Sequence, residues 1–147
     1  MSVIDGSGLE FRDFPGRVTA DPLELEDSES SLRIVKLQRT VGRTAHRHPH
    51  SEEVFYVEAG TGRVYIDGEF HPVKPGDTVR IPAGLAHATV PDEGVEMRLV
   101  CFFPHPDLPA NSEDTGIEVP SDVLGVHSPA PAPVEVVVVG DPDPGSA

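Results

Sequence analysis

One stretch, GRTAHRHPHSEEVFYVEAG from Gly42 to Gly60, constrains this chain more than any other, because it sets three histidines at alternating positions and follows them with a carboxylate. Side chains two residues apart share one face of a β-strand, so His46 and His48 can aim their imidazoles at one point while Arg47 turns away. Glu53 comes after the turn suggested by Ser51 and Glu52, and a returning strand can bring its carboxylate to the same point. A fourth group lies downstream in GDTVRIPAGLAHATVP, where Pro82 and Gly84 mark a turn and His87 sits on a new strand. Three imidazoles and one carboxylate suit Fe, Mn, Ni, Co, Cu or Zn, and hardly suit Mg or Ca, which prefer oxygen. A register that uses His48 and His50 in place of His46 and His48 is the alternative.

The rest of the chain reads as short strands. Residues 9–14 and Val18 hint at two, and 32–39 alternates apolar and basic side chains. Residues 46–50 and 54–58 flank the Ser51 turn. Residues 64–66 and 69–73 are separated by Asp67-Gly68, the two-residue signal of a type I′ hairpin. Strands over 78–81, 86–90 and 95–103 follow, each bounded by Pro or Gly. In the last of these, Val95, Met97, Leu99, Cys101 and Phe103 form an apolar face opposite Glu96 and Arg98. Many short strands without helical periodicity predict an all-β jelly roll.

A length of 147 residues is that of a single domain with a real core. It divides into an N-terminal arm with short strands (1–31), a barrel core (32–104) and a C-terminal extension (105–147). Within the extension, 121–124 can form a brief helix capped by Ser121, 129–133 is a proline-rich linker, 134–139 is a late strand, and 141–147 is a tail.

At motif level the chain resembles the cupin family. His46, His48, Glu53 and Gly60 fit its first motif, and Gly76, Pro82, Gly84 and His87 fit its second. Pro91 stands where the family often has Asn, and Gly42 is two residues nearer the first histidine than usual. The resemblance implies a double-stranded β-helix barrel with one divalent transition metal (Fe, Mn, Ni or Zn) on His46, His48, Glu53 and His87. It also implies that the N-terminal strands pair with a second subunit, so a homodimer is expected.

A metal held this way would face an apolar pocket whose candidate walls are Phe55, Val57, Val79, Ile81, Met97, Leu99, Cys101 and Phe103. Glu53 and His50 are the candidates for proton transfer, His50 from the pocket entrance. Tyr56 and Tyr65 read as packing residues, His71, His105 and His127 as structural or surface groups, and Glu52 as an exposed turn residue. Cys101, in an apolar strand, reads as an inert buried thiol.

The formal charge of −14, from 25 acidic and 11 basic residues, argues against nucleic acid or an anionic membrane as partner. One cysteine permits no internal disulfide, and the N-terminus lacks a signal-peptide pattern, so a soluble cytoplasmic protein is expected. The expected partner is a small-molecule substrate. The leading expectation is a dioxygenase-type enzyme oxidising a metal-bound enol or phenol; the alternatives are a non-redox cyclase or isomerase acting on a polyketide or sugar, and a non-catalytic small-ligand binder.

Overall fold

Alternating side chains and glycine or proline turns give eleven strands in residues 1–120, the part that a computed structural model describes. The strands are β1 (Arg12–Phe14), β2 (Arg17–Ala20), β3 (Ser31–Leu37), β4 (Thr44–Arg47), β5 (Glu53–Ala59) and β6 (Gly62–Ile66). They continue with β7 (Glu69–Val73), β8 (Thr78–Ile81), β9 (His87–Pro91), β10 (Met97–Phe103) and β11 (Glu113–Glu118). The helix, linker, late strand and tail expected within 121–147 lie outside the described residues.

Two antiparallel sheets form a jelly roll. One has the order β1-β2-β3-β10-β5-β8, the other β11-β4-β9-β6-β7. Strand β10 is central in the first sheet: Leu99 pairs with Val35 on one side and Val57 on the other. Its odd positions from Met97 to Phe103 are buried, and Phe102 on the opposite face is exposed. They pack with Phe55, Val57, Val79 and Ile81 in one core cluster, where burying each large apolar side chain contributes roughly 1.5–3 kcal/mol.

Turn chemistry places the strands. Asp67 (φ 50°) and Gly68 (φ 84°) both adopt the left-handed region that a type I′ hairpin needs, joining β6 to β7. At Gly60 (φ 79°) a Cβ would also collide with the main-chain carbonyl of Glu96, so only glycine fits where β5 meets β10.

Two expectations need correction, the extent of β4 and the packing of Tyr56. Strand β4 ends at Arg47 instead of running on to His50, because Pro49 brings no N–H to a ladder. The strand after the Ser51 turn enters the opposite sheet and does not pair with β4. Strands β1 and β2 pair with each other and with β3 of the same chain. Tyr56 is 47% exposed, whereas Tyr65 packs on Phe70.

Candidate metal centre

His46 and His87 are direct cross-strand partners on β4 and β9. Glu53, the first residue of β5, enters from the facing sheet, and His48 comes from the loop just after β4. The imidazole centroids of His46, His48 and His87 lie 4.4–5.3 Å apart. One candidate ligand atom from each of the four side chains falls within 4.8 Å of the other three. Metal–ligand distances near 2.1 Å correspond to separations of roughly 3–4.2 Å, close to the spacing of this cluster.

The hydrogen bonds behind the ring atoms decide which nitrogens face inward. His48 Nδ1 donates to the carbonyl of Asn111 at 2.8 Å, and His87 Nδ1 to the carbonyl of Leu85 at 2.9 Å. A carbonyl oxygen cannot donate, so each Nδ1 carries a proton, and each ring, when neutral, turns an Nε2 lone pair to the centre. His87 Nε2 lies 2.8 Å from Glu53 Oε1. His48 Nε2 lies 3.6 Å from the same oxygen, beyond hydrogen-bond length, and is buried without a hydrogen-bond partner. Lone pairs converging with a carboxylate in a buried space need a cation, and this donor set fits a divalent transition metal.

Electrostatics agree with a ligand role. Burial holds the His46 imidazolium well below the ordinary histidine range, with the neighbouring His87 adding to it. Burial alone would raise the Glu53 carboxyl, but His48 and His87 outweigh it and keep Glu53 well below the usual carboxylate range. Burial, then the nearby Glu53 charge, pushes the Cys101 thiol well above its usual value.

The centre opens into a cavity of about 470 Å³. Phe55, Leu99, Cys101 and Phe103 line it, as the sequence suggests. Val57, Val79, Ile81 and Met97 do not: they are buried in the packed core beneath. His50 is exposed, its ring stacks on His105 at 5.5 Å, and it is not part of the cavity wall. His71 is buried on β7, away from the cavity, and Glu52 pairs with Arg80.

Residues 34–103 match the model of the Cupin domain family. That segment is a cupin domain. The chain is similar to protein SchB of Streptomyces halstedii, 37% identical over 84 residues that cover 54% of this chain. The match spans 61% of SchB's length. Among solved structures it is similar to KdgF from Halomonas sp. (TM-score 0.62, 23% identity, covering 74% of this chain and 98% of KdgF). It is also similar to the polyketide cyclase RemF from Streptomyces resistomycificus (TM-score 0.63, 17% identity, covering 78% of this chain and 85% of RemF). At these identities the two structures establish the fold.

Sequence reasoning about this chain overlooked Arg17, Arg33 and Arg43, which line the cavity, and Asn111, which is buried behind the centre. A signal was present for Arg33: it shares the phase of Val35 and Leu37 on β3, a charge among core-facing positions. Asn111 carried none, since it lies in an irregular segment after Pro109. Among the described residues no helix is long and apolar enough to cross a membrane.

Proposed function

We propose that this chain is a metal-dependent enzyme that assists proton removal next to a carbonyl in a small organic substrate, closing a ring or expelling water without an oxidant. The observation that carries it is the orphaned Nε2 of buried His48 facing Glu53 at the floor of a 470 Å³ cavity. A site of that size suits a drug-sized or polyketide-sized molecule. The likeness to a polyketide cyclase supports the non-redox chemistry.

His46, His48, Glu53 and His87 would hold the metal. When bound, a divalent ion such as Zn would act as a Lewis acid on the substrate carbonyl. Phe55, Leu99 and Phe103 keep that part of the cavity dry, which strengthens charge interactions inside it. Glu53, held ionised and facing the centre, would serve as a ligand and is the nearest carboxylate for proton transfer. His50, exposed and stacked on His105, has no part in this reading.

Oxygen-dependent oxidation of an enol or phenol is the second reading, favoured by the donor set itself, which suits Fe, Mn or Ni as well as Zn. A homodimer and a cytoplasmic location belong to the proposal too. The test is exchange of the α-protons of 2-acetylnaphthalene in D2O under nitrogen, followed by NMR. Zn-loaded wild type should exceed the solvent rate and His87→Ala should not. Substrate-dependent oxygen uptake by Fe- or Ni-loaded protein, with no exchange under nitrogen, would replace the first reading by the second.

A further inference from the structure

The cavity wall carries three arginines and three acids, yet none of those acids pairs with Arg17 or Arg43, in a chain whose formal charge is −14. Arg33 is fully committed: its Nε and Nη2 donate to the two carboxylate oxygens of Asp21 at 2.7 and 2.8 Å. Of the acids on the wall, Glu113 is paired with Arg47, and Asp114, at the exposed rim, accepts the main-chain N–H of Gly116. Glu53 belongs to the metal centre. Among the described residues, Arg17 and Arg43 have no carboxylate within salt-bridge distance, and the Arg43 Nε is buried with no hydrogen-bond partner.

We propose that Arg17 and Arg43 form an anion subsite beside the metal centre, which receives a carboxylate carried on an apolar, aromatic-sized body. A guanidinium presents paired N–H donors that match a carboxylate, and such charge-assisted bonds are the strong ones. Arg17 already lies over the ring of Phe14, with Cζ 5.2 Å from the centroid, which steadies its plane at the cavity mouth. Burial, then the neighbouring Arg17, pushes the Arg43 guanidinium down to about 10. An incoming anion would relieve that cost. Val35, Leu37, Phe55, Leu99 and Phe103, from the same sheet as Arg17, give the cavity an apolar side that fits an apolar skeleton.

The subsite stands on the cavity alone. That its occupant is the substrate rests on the enzymatic reading above. The test titrates the full chain, Zn-loaded and metal-stripped, with 2-naphthoate and its neutral counterpart 2-naphthol at neutral pH. Both forms of the wild type should bind the acid at least about tenfold more tightly than the alcohol. Arg17→Gln and Arg43→Gln should each erase that preference while zinc content and thermal midpoint stay at wild-type values, and Arg43→Lys should restore part of it. Equal affinity for acid and alcohol overturns the subsite. So does a preference that survives both Gln variants, or one that vanishes on metal removal, which would place the carboxylate on the metal. The two proposals fail separately: absence of α-proton exchange in the neutral ketone leaves the naphthoate preference untouched, and loss of the preference leaves the exchange untouched.

Discussion

His48 Nδ1 donates a 2.8 Å hydrogen bond to the main-chain carbonyl of Asn111, 63 residues further along the chain. The Asn111 side chain completes the clamp: Oδ1 accepts the His50 N–H and Nδ2 donates to Ser51 Oγ, each at 2.8 Å. A fully buried amide thus holds the loop between β4 and β5 and sets which nitrogen of His48 faces the centre.

Asn111→Ala should therefore loosen the centre without touching a ligand. Leaving the His50 N–H without a partner, and Ser51 Oγ with only its bond to the Glu52 carbonyl, should cost about 1–3 kcal/mol in urea denaturation. Zinc affinity, measured against a competing chelator, should fall by about 10–100-fold. Unchanged zinc affinity would show that the clamp does not orient His48.

His46→Ala, His48→Ala and His87→Ala should each reduce metal content per folded protein to near background. His71→Ala should not, since His71 is buried on β7 away from the cavity. Equal occupancy in all four variants, measured by elemental analysis, would remove the ligand assignment.

Acidification should destabilise the metal-free protein. His46 is held below its ordinary value by burial and by His87, so the unfolded chain, with a histidine value of 6.5, binds more protons than the folded one below that pH. Stability then rises with pH up to about 6.5 and is lost on descending from there. Glu53 works in the same direction at lower pH: unfolded near 4.5 and lower when folded, it contributes stability above 4.5 that is lost as pH falls further. Urea denaturation at about pH 7.5, 6 and 5 checks this, and His46→Gln should flatten the upper limb. A flat wild-type profile across that range would contradict it.

Gly60→Ala should be among the most damaging single-methyl changes, because it combines positive φ with a collision against the Glu96 carbonyl. A loss of roughly 1–3 kcal/mol or more is expected. Gly84, also at positive φ but in open space, should cost less when changed to Ala, since only the backbone strain remains. Equal losses at both positions would mean that the collision relaxes freely.

Cys101 is a wall residue that should behave as an inert one. With the thiol pushed well above its usual value by burial, iodoacetamide should modify the native protein far more slowly than the urea-unfolded chain at the same pH. Equal rates would place the thiol in solvent.

The sequence by itself determined the β class, the Asp67-Gly68 hairpin, the inward face of β10 and the four residues that converge on the centre. Each of these is written in local periodicity, turn chemistry or ligand spacing, which survive in a short window of chain. It did not determine β11, whose residues are mostly exposed and show no alternation, nor that β4 stops at Arg47. Only the tertiary structure decided that Val57, Val79, Ile81 and Met97 are core while Phe55, Leu99, Cys101 and Phe103 line the cavity. Periodicity tells which face of a strand is buried but not what lies against it. Likewise Arg17, Arg43 and Asn111 reach the site from separate parts of the chain, and what brings them there is the stacking of two sheets, which no local pattern records.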